Sequence, residues 1–179
     1  MNAAATPLDD RALERLYADL ERPLFNVVYR WVWDREEARE LVQEAFVRLW
    51  RMRARIEPET ARALVFRIAL NLAANRRRWR RLWRLATLDL VGVVASDQAG
   101  AEEALAGEQR RRAVQAAVER LPERLRRVIV LCELGGMSYA EVADVLQIPS
   151  GTVASRRNAA LNRLRQWLSA RESALPETT

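Results

Sequence analysis

The chain has 179 residues, half of them hydrophobic, and 30 basic side chains against 24 acidic ones give it a net charge of +6. That is enough material for one ordinary core or two small ones, and too apolar for a disordered tail. Every basic residue is arginine, histidine is absent and Cys132 is the sole cysteine, which excludes the usual zinc sites, an internal disulfide and a histidine general base.

The N-terminus, MNAAATPLDDR, lacks the basic and apolar regions of a signal peptide. No later stretch approaches the roughly 18 apolar residues of a membrane span, and the single thiol suits a reducing, cytoplasmic location. No GxxxxGK[ST] or GxGxxG run occurs. The sequence therefore points to no cofactor, no metal and no small-molecule substrate and singles out no catalytic residue; an enzyme would have to work through carboxylates alone, and no spacing suggests one.

Charge is unevenly spread: −3 over residues 1–50, +9 over 51–86, −5 over 87–109 and +5 over 110–179. Two basic blocks flank an acidic stretch containing Gly, Ala and Ser, which predicts a flexible linker at 87–109 between domains at 8–86 and 110–170. Helical periodicity dominates and strand alternation is absent, so the expected fold is all-α: two small helical domains, the C-terminal one a helix-turn-helix.

In the first helical pattern, Leu13, Leu16, Tyr17, Leu20, Leu24, Val27, Val28 and Trp31 fall at helical spacing, and Pro23 predicts a bend or break. DREEARELVQEAFVRLWRM follows, opened by Asp34 and Glu37 as an acidic variant of the capping box. Its Ala38, Leu41, Val42, Ala45, Phe46 and Leu49 make a buried stripe. The opposite face carries Glu36, Glu40, Gln43 and Glu44, which by itself reads as a solvated charged surface.

A third helix is predicted from about Glu59 through NRRRWRRLWR, residues 75–84, where ten residues hold six arginines, two tryptophans and no acid. Like charges this dense repel one another. The nearest carboxylates in sequence are Glu57, Glu59 and Asp89, so neutralisation is expected from outside the segment, by an acidic protein, an anionic membrane or nucleic acid. Leu64, Val65, Ile68, Leu72, Trp79 and Trp83 recur at three- and four-residue spacing, which favours packing over base stacking for both tryptophans. Asn71, Asn75 and Arg78 form a separate polar stripe. Asparagine suits a helix interior poorly unless its amide is used. With Arg76, Arg77 and Arg80, this stripe is a candidate surface for gripping phosphates and touching base edges.

The C-terminal segment LPERLRRVIVLCELGGMSYAEVADVLQIPSGTVASRRNAALNRLRQWL carries the most specific pattern. Pro122 suits a first helical turn. Leu125, Val128, Ile129 and Cys132 line one face, and Gly135–Gly136 end the helix. Ser138 and Glu141 form a capping box over a short helix. QIPSG turns the chain, with Ser150 or Thr152 available to cap the next helix. That helix offers Ser155, Arg156, Arg157 and Asn158 near its start, with Val153, Leu161, Leu164 and Trp167 facing in. A tight turn leading into a helix of short polar and arginine side chains is the helix-turn-helix pattern for major-groove readout.

On the residues alone, two other readings stand. A stand-alone helix-turn-helix regulator explains residues 122–168 but leaves the arginine helix without a task. A DNA-strand-exchange enzyme would need a nucleophilic Ser or Tyr among arginines, whereas Tyr17 and Tyr29 lie in amphipathic patterns.

Taken together, DREEARELVQEAFVRLW, FRIALNLAANRRRWRR and LPERLRRVIVLCELGGMSYAEVADVLQIPSGTVASR resemble three motifs of the extracytoplasmic-function sigma factors of bacterial RNA polymerase, in the family's order, across residues 10–170. The resemblance implies a promoter-specificity subunit with no catalysis of its own. It assigns Glu40, Leu41, Gln43 and Glu44 to binding core RNA polymerase at the clamp helices, with the flap as a further polymerase contact. Asn71, Asn75, Arg76, Arg77, Arg78 and Arg80 match the helix that captures melted minus-ten DNA. Ser150, Thr152, Ser155, Arg156, Arg157 and Asn158 match the reader of the minus-thirty-five duplex. An anti-sigma factor, often membrane-anchored in this family, is the implied regulator. Glu40 stands where the family usually has Asp, Leu64 where a tryptophan is common, and Gln147 at a turn position often held by glycine. Ala154 and Ala159 replace residues that are often polar or basic.

Overall fold

The computed structural model describes residues 7–87 and 103–172. Among the described residues there are seven α-helices, one 3-10 turn and no strand, the all-α organisation expected.

Helix α1 (Asp10–Val32) starts where the Asp9 carboxylate accepts the Ala12 N–H at 2.6 Å. It runs through Pro23 without the expected break. Proline removes one backbone donor, and the carbonyl this frees belongs to Asp19, an exposed residue that water can serve. Trp33 ends the helix in the left-handed region, φ 59°. Helix α2 (Arg35–Met52) is capped by Asp34, whose carboxylate accepts the Glu37 N–H at 2.9 Å. A 3-10 turn (Arg53–Arg55) then reverses the chain into α3 (Pro58–Thr87). Leu8 tucks its N–H onto the Ile56 carbonyl at 2.9 Å, closing the turn from outside. The predicted apolar stripes meet in one core, where Leu24, Val27 and Val28 face Ala38, Ala45, Leu49, Val65, Phe66 and Leu70.

The C-terminal module holds α4 (Glu103–Arg120), α5 (Glu123–Glu133), α6 (Tyr139–Leu146) and α7 (Ser150–Glu172). Helix α4 begins inside the segment expected as a linker, while residues 88–102 of that segment lie outside the described residues. Pro122 takes the N-cap position of α5, one residue before the first turn. Arg126, 1% exposed, donates from Nε to the Val118 carbonyl at 2.9 Å and from Nη2 to the carbonyls of Glu119 and Leu121. It thus serves the carbonyls left open at the end of α4. The Ser138–Glu141 capping box is complete, and Gln147 adopts φ 55° between α6 and α7. Helix α7 starts at Ser150, so Ser150 and Thr152 lie within its first turn and do not cap it; the Pro149 carbonyl accepts the N–H groups of Thr152 and Val153.

The two modules touch. Helix α6 packs on α3 and α5 on α1, and a single buried cluster spans both modules. Arg67 of α3 donates to the carbonyls of Val145 and Asp144 at 3.1 and 2.9 Å, meeting the open end of α6. Arg62 pairs with Glu141 at 3.3 Å. The guanidinium of Arg126 lies 5.3 Å from the centre of the buried Trp31 ring. Gly135 permits this approach, because a Cβ there would fall 3.1 Å from Val27 Cγ2 and 2.7 Å from the Leu131 carbonyl oxygen.

Candidate nucleic-acid interface

Helix α2 turns its buried stripe to α1 and α3 and leaves Glu40 and Gln43 exposed. Glu44 is half-buried and pairs with Arg48 at 2.7 Å. Leu41, assigned to polymerase binding by the resemblance, lies where its apolar period puts it, 4% exposed and in the core. Its contribution is to seat the helix and to form part of a groove wall. Val47 and Trp50 extend the exposed face, with Arg53 stacked 4.4 Å from the Trp50 ring centre. Their positions four and seven residues after Gln43 could have placed them on this face.

A groove of about 560 Å³ runs between α2 and α3, lined by Glu40, Leu41, Glu44 and Arg48 on one side and Leu72, Asn75, Arg76 and Trp79 on the other. It brings the expected docking residues alongside the expected DNA-reading ones. Trp79 is 60% exposed at this site, so the expectation of core packing is overturned for it. The two helices run antiparallel through the 53–55 turn, and Trp79 lines the groove between them instead of entering the core. The side chain of Trp83 lies outside the described residues.

Asn71, Asn75 and Arg78 are all exposed along one side of α3. The arginines around them divide. Arg77 donates to the Glu119 carbonyl at 3.2 Å. Arg80 and Arg76 lie 2.7 and 3.7 Å from the carboxylate of Glu37. The block is therefore neutralised in part from within the chain, by a residue the sequence marked only as a helix cap.

On α7, Ser155 and Asn158 are exposed and share a face with Thr152. The Ser155 hydroxyl donates back to the Thr152 carbonyl at 3.1 Å. Arg156 flanks that face. Arg157 turns the other way and pairs with Glu133 of α5 at 2.7 Å, with the Tyr139 hydroxyl at 3.4 Å. The adjacent arginines thus occupy different environments. Burial raises the pKa of the nearby Cys132 thiol, leaving it a small packing residue. Among the described residues no cluster of metal-ligating side chains occurs, and no helix is long and apolar enough to cross a membrane.

Residues 16–85 match the sigma-70 region 2 family and residues 111–164 the sigma-70 region 4 family. The ECF RNA polymerase sigma factor SigE of Mycolicibacterium smegmatis is 32% identical over 172 residues, which are 95% of this chain and 65% of that protein. The RNA polymerase sigma-H factor of Pseudomonas aeruginosa is 31% identical over 157 residues, 83% of this chain and 81% of that one. The chain belongs to the extracytoplasmic-function sigma factors. Its architecture extends the likeness: the structure of CnrH in complex with the cytosolic domain of CnrY aligns with a TM-score of 0.68 and 28% identity, over 90% of each chain. The two family regions of this sigma factor coincide with the two helical modules, α1–α3 and α4–α7.

Proposed function

We propose that this sigma factor binds core RNA polymerase through the exposed face of α2, where Glu40, Gln43 and Glu44 meet the clamp helices and Val47 and Trp50 add apolar area. The flap is the second polymerase contact, reached by the C-terminal module. Helix α7 enters the minus-thirty-five major groove with Thr152, Ser155 and Asn158 at base edges, Ser150 beside them and Arg156 on phosphate. Asn71, Asn75 and Arg78, flanked by Arg77, meet the unpaired minus-ten strand. Binding energy held in these contacts, with no chemical step, stabilises the opened promoter.

The observation that carries this reading is the groove between α2 and α3, which sets an acidic docking face and an exposed amide stripe side by side. A polymerase-bound protein that must hold DNA at the melting point needs that adjacency. Reconstitution with core polymerase and a promoter library tests it. The expected result is initiation at a defined pair of elements; a chain that binds duplex DNA but never co-elutes with polymerase would return the reading to a stand-alone regulator.

Control is by occlusion, through an anti-sigma protein that covers α2 and the arginine helix. The neighbour CnrH, held by the cytosolic domain of CnrY, supports a partner of that kind, and we infer that this partner is an anti-sigma factor anchored in a membrane. Co-purification of this chain with the product of an adjacent gene, and loss of transcription on adding that product, would test the assignment.

A further inference from the structure

The carboxylate of Glu37 is 6% exposed and lies between α2 and the arginine block of α3. Its Oε2 is 2.7 Å from Arg80 Nη2 and its Oε1 3.7 Å from Arg76 Nη1. Asp34, capping the same turn through the Glu37 N–H, fixes where this side chain starts. No donor is aimed squarely at Oε2, so the contact is chiefly one of charge. Burial raises the Glu37 pKa, and Arg80 and then Arg76 oppose that rise. A buried pair of this sort adds little net stability over a neutral replacement, so packing alone gives a weak account of it.

Its geometry gives a better one. A helix advances about 100° per residue. Asn75 and Arg78 therefore lie within about 40° of Asn71, whereas Arg76 and Arg80 lie about 140° and 180° away. Those directions continue the line of the buried Ala69 and Ala73. Among the described arginines of the block, Arg76 and Arg80, still half-exposed, are thus drawn toward α2 by Glu37, while Arg78 stands with the amide stripe.

We propose that Glu37 is a positioning residue for minus-ten recognition, withholding Arg76 and Arg80 from the DNA and fixing the rotation of α3 so that the Asn71–Asn75–Arg78 stripe meets the melted strand. The inference rests on the reading of α3 given above. An arginine free to reach phosphate binds every sequence equally, whereas an amide distinguishes base edges. Holding back two arginines lowers nonspecific grip and leaves sequence a larger share of the affinity.

The test uses holoenzyme reconstituted with wild-type chain, with Glu37→Gln, and with the double variant Arg76→Gln/Arg80→Gln. Binding to preferred and scrambled single-stranded minus-ten DNA is measured across a salt series, with a thermal melt of each chain as the folding control. Glu37→Gln is expected to steepen the log–log salt slope by about 0.7 to 1.4, the contribution of one or two added phosphate contacts on a single strand. It should tighten binding to scrambled DNA and lower discrimination several-fold. The double variant should lose discrimination with no fall in slope; direct phosphate contacts would instead make its slope shallower by about 1.4. The inference is overturned by Glu37→Gln keeping the wild-type slope and preference, whatever its melting temperature, or by a shallower slope in the double variant. A wild-type chain with no minus-ten preference would overturn the reading of α3 itself.

Discussion

Arg127 of α5 donates to the amide oxygen of Asn71 of α3 at 3.0 Å, while also pairing with Glu123 at 2.8 Å. One of the two amides proposed to read melted DNA is therefore engaged by the other module. Helix α6 packs on α3 and α7 on α6, which puts the two helices proposed to read DNA within about 20 Å of each other at ordinary interhelical spacing. Minus-ten and minus-thirty-five elements are about 25 base pairs apart, roughly 85 Å at 3.4 Å per step. The modules must separate for both to be read on one promoter.

Removing Arg67 and Arg127 should loosen this arrangement. Each supplies polar contacts worth roughly 1 kcal/mol net, and Arg67 serves carbonyls at the end of α6 that otherwise turn to water. The double alanine variant is expected to show a larger radius of gyration in solution scattering and faster binding of minus-ten DNA. An unchanged radius would mean that the apolar contact alone holds the modules.

Reversing the charges of Glu40 and Glu44 to Lys should abolish co-elution with core polymerase while sparing the fold. The only described ion pair lost is Glu44–Arg48 on the surface, worth less than about 1 kcal/mol. Retained co-elution with an unaltered melting temperature would remove α2 from the interface.

The neighbouring arginines of α7 should behave differently. Arg156→Ala is expected to flatten the duplex salt slope by about 0.9. Arg157→Ala should leave the slope alone and lower the stability of the C-terminal module, because it loses Glu133 and Tyr139. Ser155 or Asn158 variants should change minus-thirty-five preference by roughly 1–3 kcal/mol per good base contact. Identical behaviour of the two arginine variants in a salt series would contradict the division.

Acid should weaken the start of α6. The Ser138 backbone N–H, then its hydroxyl, hold the Glu141 carboxyl below 4.5, with burial opposing and Arg62 assisting. A depressed acid contributes stability that is present above the unfolded value and lost as pH falls through the folded one. Glu37 runs the other way: its raised value means that falling pH, between the folded value and 4.5, favours the fold. Melts from neutral to acidic pH should therefore show Glu141→Gln less acid-sensitive than wild type and Glu37→Gln more so. Matching curves for all three would reject both assignments.

Gln147→Gly should stabilise the helix-turn-helix. Gln147 sits at φ 55°, where a side chain costs about 1–2 kcal/mol, while glycine adds unfolded-state entropy worth roughly 0.5–1 kcal/mol. The net gain expected in denaturant unfolding is roughly 0–1.5 kcal/mol; a loss would show that the Gln147 side-chain bond to the Asp144 carbonyl outweighs the strain.

Much of this protein was legible along the chain because the deciding interactions are local. Ser138 and Glu141 are three residues apart, as are Asp34 and Glu37, so a capping residue and its helix start can be read together. The 3.6-residue period likewise marks which face of α2 or α7 is apolar, and an apolar face must be covered. Tertiary structure decided what covers each face and where coverage ends. Trp79 keeps the spacing of a core residue, but its ring lies at the groove between α2 and α3 and stays exposed. The partners of residues that the resemblance assigned to DNA lie farther off still: Glu37 is 43 positions from Arg80, Arg127 is 56 from Asn71, and Arg157 is 24 from Glu133. Such pairs depend on how helices cross, which no local pattern encodes. The helix-turn-helix and the amide stripe were therefore written in the sequence, while which arginines find acidic partners within the chain was settled only when α2 packed against α3 and α5 against α7.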